Sequence, residues 1–200
     1  MNKSIYKTLI ELNRDLYHIT EFENLESILK TGLLSLKNIV DNKIPAKFIS
    51  SDSSRSIDEY YGLDEYVRLA YTIQYDMICL DVHNNALKNP VILVINPNIL
   101  LDKEDIVYTT MNALKRESLL YNKDDKFTID FQKIYEMRSF ENAKIQEYKD
   151  ARQSEILVKN KVELNYIKHI FVENDINLEN LSTEIPIYKG EVKKTIKKIV

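Results

Sequence analysis

"DARQSEILVKNKV" (Asp150–Val162) is the stretch on which the reading of this chain turns. Ile156, Leu157 and Val158 form an unbroken apolar run, and one acid, Glu155, stands at its mouth with Arg152 three residues before it. A continuous β-branched and aliphatic run bounded by polar residues reads as a strand buried in a sheet. A carboxylate at such a mouth has two readings. One is a surface or edge glutamate, and the other is an acid held at a sheet end for chemistry. Side chains two apart on a strand share a face, so Gln153 and Glu155 are expected to point into one cleft.

Working outward, "LNYIKHIFVEN" (Leu164–Asn174) reads as a helical turn leading into a strand, "IPIYKG" (Ile185–Gly190) as a further strand, and the end of the sequence as a basic tail. Upstream, Phe127 to about Tyr148 carries a mostly helical pattern with a break near Ser139, and residues 116–127 form a charged connector. "DIVYT" (Asp105–Thr109) is a short strand. "PVILVI" (Pro90–Ile95) is a buried central strand, and "YDMICLDVHNNAL" (Tyr75–Leu87) is a helix. "EYVRLAYT" (Glu65–Thr72) alternates as a strand does. Residues 41–62, with "ISSDSSRSIDEYYG", are polar and turn-rich, which predicts a loop with at most one short helix. "DLYHIT" (Asp15–Thr20) is a strand, and Thr20 with Glu23 has the spacing of a capping box before a helix that Gly32 stops. Short strands interrupted by helices, without regular βαβ repetition, define an α+β (mixed α/β) class in a single domain over residues 1–200.

Bulk properties exclude more than they assign. The 200 residues are 44% hydrophobic and 30% charged, which supports one ordinary core. A formal net charge of −3 gives no global attraction to nucleic acid, so any such binding needs a local groove; Lys43, Lys47, Arg116 and Lys123 are its candidate cations. Cys79 is the single cysteine, which rules out an internal disulfide, and His18, His83 and His169 lack the spacing of a metal cluster. No metal is expected. No apolar run approaches the roughly 18 residues of a membrane span, and Lys7, Glu11, Arg14 and Asp15 break up a secretory core. The expectation is a cytoplasmic protein. Glycine-rich phosphate loops and nucleophile elbows are absent.

Four groups could carry chemistry. His18 and Thr20 in "YHIT" read either as nucleotide contacts or as a core histidine and a cap. Arg55 lies in a polar run, where arginine is ordinarily solvated. Arg68 lies inside a strand and needs a partner or an opening to solvent. Glu155 with Gln153 completes the set.

Together these stretches resemble the DarT family of DNA ADP-ribosyltransferases. "LYHITEFENLESILKTGLLS" is similar to its opening block, "SRSIDEYYGLDEYVRLAYT" to its Ser-Arg-x-x-Asp stretch and following strand, and "NPVILVINPNILL" to the next strand. "YTTMNA" is similar to a Met-Asn-Ala element, and "ARQSEILVKNKVELNYIKHIFV" to the C-terminal block. The resemblance spans residues 16–173 in order. It implies a split mixed β-sheet flanked by helices, NAD as substrate, and transfer of ADP-ribose to a base of single-stranded DNA by a toxin or anti-phage effector. It also implies a macrodomain antitoxin resembling DarG as partner. It makes Glu155 and Arg55 catalytic, and His18, Thr20, Asn24, Arg55 and Arg68 NAD-binding. Gln153, Met111 and Asn112 fall on the acceptor side. Such a transfer passes through positive charge on the ribose, which a carboxylate stabilises. The sequence departs from the family pattern at Ala70–Tyr71, at "IQYDM", and before Met111, where an acid is expected. These departures touch the acceptor side, so an RNA or protein acceptor stays open as an alternative. A catalytically silent NAD- or nucleic-acid-binding module is the other.

Overall fold

The computed structural model describes residues 2–74, 76–136 and 145–197. Among the described residues ten strands are formed: β1 (Leu16–Glu21), β2 (Leu33–Leu34), β3 (Tyr66–Ala70), β4 (Pro90–Ile95), β5 (Ile106–Tyr108), β6 (Tyr121–Asn122), β7 (Glu155–Lys159), β8 (Lys161–Val162), β9 (Ile167–Glu173) and β10 (Ile187–Gly190). The helices are α1 (Asn2–Glu11), α2 (Leu25–Thr31), α3 (Leu36–Asp41), α4 (Asp52–Tyr60), α5 (Asp76–His83), α6 (Ile99–Asp102), α7 (Phe131–Tyr135), α8 (Ile145–Arg152) and α9 (Val192–Lys197). Eight strands make one sheet in the order β10-β9-β4-β1-β3-β7-β5-β6, antiparallel except for β10 beside β9. β2 and β8 form a separate ribbon.

β4 explains its own sequence. All six of its residues are buried, because Val91, Leu93 and Ile95 enter one core while Ile92 and Val94 enter another on the opposite face. The first core is completed by Ile5 and Leu9 of α1, Ile99 and Leu100 of α6, and Val67, Leu69, Ile156 and Val158 of β3 and β7. The second is closed by Ile78, Cys79 and Val82 of α5 with Val192 and Ile196 of α9. That cover lies over β4. Alternation places Arg68, Ala70, Glu155 and Leu157 on the face opposite Val67, Leu69, Ile156 and Val158.

The sheet splits at its centre. β1 pairs with β4 along its whole length, but meets β3 only at Tyr17↔Ala70. Beyond that pair the strands diverge. Gly32 shapes the entrance to the small ribbon: its φ is +82°, and a Cβ there would lie 2.8 Å from the Val162 carbonyl oxygen. Only glycine tolerates both the backbone and the approach.

Two expectations change, and the short helix allowed for in the polar run is found. Thr20 and Glu23 form no capping box: β1 runs on through Glu21, a 3₁₀ turn follows over Phe22–Asn24, and neither this turn nor α2 has a side-chain cap. Pairing with β4 up to Glu21↔Pro90 outcompetes the local motif. The polar run after Ser50 contains the nine-residue helix α4, started by Ser51, whose hydroxyl accepts the Ser54 N–H at 3.2 Å. Gln153 is not on the strand: α8 ends at Arg152 and β7 begins at Glu155. The break expected near Ser139 lies outside the described residues.

Candidate active site

The divergence of β1 from β3 opens a two-lobed cleft. The smaller lobe, about 250 Å³, lies between residues 18–20 of β1 and 66–68 of β3, and loop 44–50 roofs it. The larger, about 480 Å³, extends past Ala70 to Glu155. His18, Ile19, Asp58 and Arg68 line both lobes, so the lobes meet at these residues.

His18 stands in the split itself. Its Nδ1 lies 2.9 Å from the Arg68 carbonyl oxygen. A carbonyl only accepts, so Nδ1 carries the proton and Nε2 is left as an acceptor. Burial lowers the imidazole pKa, opposed by the bond to Arg68. The ring is therefore held neutral, and it supplies to a β3 carbonyl the donor that the missing ladder would have supplied.

Arg68 links two acids. Its Nη1 donates to Glu155 Oε1 at 3.3 Å and Oε2 at 3.2 Å, and its Nη2 donates to Asp58 of α4. The side chains of Asp58 and Glu155 are only 14% and 15% exposed, so this is a largely desolvated cluster. Burial, chiefly, raises the Asp58 pKa; Glu155 adds to the rise, and Arg68 opposes it. Glu155 is fixed further. Its Oε2 accepts the Ala113 N–H at 2.9 Å, and its own N–H donates to Thr109 Oγ1 at 3.0 Å. The loop after β5 is thus latched to the acid, and Lys115 pairs with Asp150 of α8 to hold it there.

The other expected residues divide. Asn24 lines the smaller lobe, but its amide is committed: Nδ2 donates to Thr20 Oγ1 and to the Lys47 carbonyl, both at 2.9 Å, and Oδ1 accepts the Lys47 N–H at 2.7 Å. It clamps the roof loop onto β1. Gln153 and Asn112 line the larger lobe beside Glu155. Met111 does not line it; its carbonyl accepts Thr109 Oγ1 at 2.6 Å. Arg55 lies on the other side of α4, along a groove bordered by α3. It donates to the Ser50 carbonyl and to Asp52, and stacks over Phe48 at 4.8 Å. The guanidinium that faces Glu155 is that of Arg68. Asp58 and Arg152 of the same cleft were not singled out as site residues from sequence. Ser54 and Asp58 are spaced i, i+4 and share a helix face, which was the available signal for Asp58. Among the described residues no group of His, Cys, Asp and Glu could hold a metal ion, and no helix is long and apolar enough to cross a membrane.

A split, mostly antiparallel sheet with a glutamate at the mouth of a strand beside the gap is an ADP-ribosyltransferase-like architecture. A family profile described as "ssDNA thymidine ADP-ribosyltransferase, DarT" matches residues 17–198, and the chain belongs to that family. A DNA ADP-ribosyl transferase–DNA ADP-ribosyl glycohydrolase fusion protein of Thermosipho africanus is 27% identical over 186 residues, covering 86% of this chain and 46% of the fusion. The chain thus spans about half the length of that relative. The structure of Thermosipho africanus DarTG in complex with ADP-ribose superposes with a TM-score of 0.73 at 24% identity, over 88% of this chain and 50% of the other. Thermus sp. 2.9 DarT in complex with ADP-ribosylated ssDNA gives 0.68 at 15% identity, over 90% and 95%. The same Thermus protein in complex with NAD+ gives 0.59 at 14%, over 90% and 96%.

Proposed function

We propose that this chain is an NAD-dependent ADP-ribosyltransferase, built as a single domain, that modifies a base of single-stranded DNA, a thymine by the description of its family. The observation that carries the reading is Glu155, a desolvated carboxylate on the wall of the larger lobe, fixed by the Ala113 N–H and by Arg68, which itself stands where the two lobes adjoin. Two joined lobes suit a two-headed dinucleotide, and their volumes are of the order of small-molecule sites, roughly 300–1,000 Å³. His18 Nε2 offers an acceptor to a ribose hydroxyl or to the nicotinamide amide. Glu155 faces the positive charge that develops on the ribose as nicotinamide leaves. Arg68 orients that carboxylate through both of its oxygens. Arg55 supports the roof of the cleft through Ser50 and Phe48, and Asn24 anchors the same roof at Lys47.

The fusion relative combines a transferase with a glycohydrolase by name. This supports a DarG-like macrodomain partner that removes the mark, and action as a toxin or anti-phage effector in the cytoplasm, where NAD and DNA are both available. Lys47 is already paired with Glu21 at 3.2 Å and Glu23 at 2.9 Å, which takes it out of the candidate DNA groove. Lys43, Arg116 and Lys123 have no ion pair among the described residues. About three phosphate contacts give a salt slope of roughly −2 on single strands.

The test offers labelled NAD with single-stranded DNA, duplex DNA and RNA of one sequence, and with a protein pool. Label on single-stranded DNA is expected, since a paired and stacked base is out of reach. Label confined to RNA or protein removes the DNA assignment, and no transfer to any acceptor removes the activity.

A further inference from the structure

Besides Glu155 and Asp58, the larger lobe contains a third carboxylate, which has no assigned work. Asp81, on α5, lines it together with Glu155, Asn112 and Gln153. Its backbone carbonyl accepts the Ala86 and Leu87 N–H groups at 2.9 and 3.1 Å, but among the described residues no donor reaches its carboxylate. Burial raises its pKa, with no cation near enough to oppose the rise. A half-buried acid in the cleft that holds Glu155, its pKa raised by burial, is a candidate for contact with a ligand. The position is not that of a loose surface residue. Ile78 and Val82 of the same helix are buried in the second core, and Cys79 Sγ donates to the Ile196 carbonyl of α9 at 3.2 Å, so Asp81 is mounted on a packed element.

The neighbouring polar groups define what the lobe asks for. Asn112 Oδ1 already accepts the Leu114 N–H at 2.8 Å, and Gln153 Nε2 donates to the Lys149 carbonyl at 3.2 Å. The Asp81 carboxylate is an acceptor that no donor reaches among the described residues, so a ligand part that settles against it must bring an N–H or O–H group. The atom that attacks the ribose has to approach beside Glu155, within this same lobe. We propose that Asp81 reads the nucleobase that receives ADP-ribose, by accepting a hydrogen bond from that base's edge N–H; this rests on the transferase reading above. The ligand class is a base with a ring N–H or an exocyclic amine on its pairing edge, extruded from a single strand.

The experiment measures NAD affinity by calorimetry, melting temperature, and the kcat/KM of transfer to single-stranded oligonucleotides that differ only in the target base. The native chain is compared with Asp81→Ala and Asp81→Asn. Alanine is a good helix residue, so the fold is expected to hold. For Asp81→Ala, NAD affinity should stay within about twofold while kcat/KM for DNA falls roughly ten- to hundredfold, the value of one hydrogen bond to a charged group. Asp81→Asn keeps one acceptor and adds a donor, so it should recover part of the rate and shift preference toward bases with acceptor edges. Native transfer and base preference in Asp81→Ala overturn the assignment. So does an equal loss of NAD affinity, which would put the residue on the nicotinamide. A native chain that neither binds NAD nor transfers overturns the transferase reading itself.

Discussion

β1 has two edges with opposite consequences. Toward β4 it forms six consecutive register pairs, from Leu16↔Ile95 to Glu21↔Pro90, and the side chains around them are core. Toward β3 it forms one, Tyr17↔Ala70. On the closed edge, backbone groups satisfy one another and nothing is left to bind with. On the open edge, the Arg68 carbonyl needs a donor from elsewhere, and His18 provides it. The space the ladder would have filled becomes the smaller lobe. Stability and chemistry are thus assigned to opposite sides of one six-residue strand, and mutations on the two sides should separate them.

The largest effect is expected on the closed side. Leu93 is fully buried on β4, in the row that pairs with His18. Leu93→Ala should cost about 2–5 kcal/mol of stability, through lost burial and a residual cavity. Transfer per folded molecule should stay near native, with urea denaturation and activity read on the same preparation. A variant of normal stability that had lost activity would show that the closed edge is not merely structural. On the open side Glu155→Gln should do the reverse. Transfer should fall about 10²–10³-fold, as for the loss of one charge-stabilising group in a transition state. The Ala113 N–H keeps an acceptor in the amide oxygen, so the melting temperature should move little. Native rates in a folded Glu155→Gln protein would take the residue out of the mechanism.

Arg55 sharpens the comparison between direct and indirect action. The family resemblance makes it an essential arginine, yet it braces Ser50 and Phe48 from outside the cleft. As a support of the roof, Arg55→Ala should raise KM for NAD about tenfold or more and change kcat less, since one charge-assisted bond and its loop are lost. A loss confined to kcat, with native KM, would place the guanidinium at the reacting atoms instead.

What could be read from sequence follows the range of the forces involved. The strands β1, β4, β7 and β9 were legible because burial imprints a local pattern, and "PVILVI" is apolar at every position because both faces of β4 are covered. Glu155 was legible because a charge opening an apolar run is conspicuous. The split was legible only through the family resemblance, because it is the absence of pairing between β1 and β3, residues some fifty positions apart, and no local pattern encodes an absence. α4 was legible only as one short helix somewhere in a polar run, because its residues are short and polar and its start depends on the Ser51 cap. Which of Arg55 and Asp58 turns inward is settled by how that helix packs. Gln153 was expected in the cleft by strand alternation and reaches it by a turn instead. Asp81 lies in a stretch legible only as a helix, and its place in the cleft follows from how α5 packs.

The smallest expected effect concerns protons. His18 is held neutral in the fold because burial depresses its pKa, whereas the unfolded chain has an ordinary imidazole near 6.5. Below that value the unfolded state takes up a proton that the folded state resists. Stability contributed by His18 is therefore present above about pH 6.5 and is lost as pH falls toward the depressed folded value. The closed edge of β1 has no titrating group of this kind facing the cleft, so the acid sensitivity belongs to the open edge. His18→Asn keeps a side-chain N–H near the Arg68 carbonyl and removes the titration. Urea midpoints at pH 5, 6 and 8 should fall with acid more steeply in the native chain than in His18→Asn, once the carboxylates common to both are subtracted. Parallel pH dependences would mean that the fold does not depress the imidazole pKa, and the neutral ring would then be set by pH and not by burial.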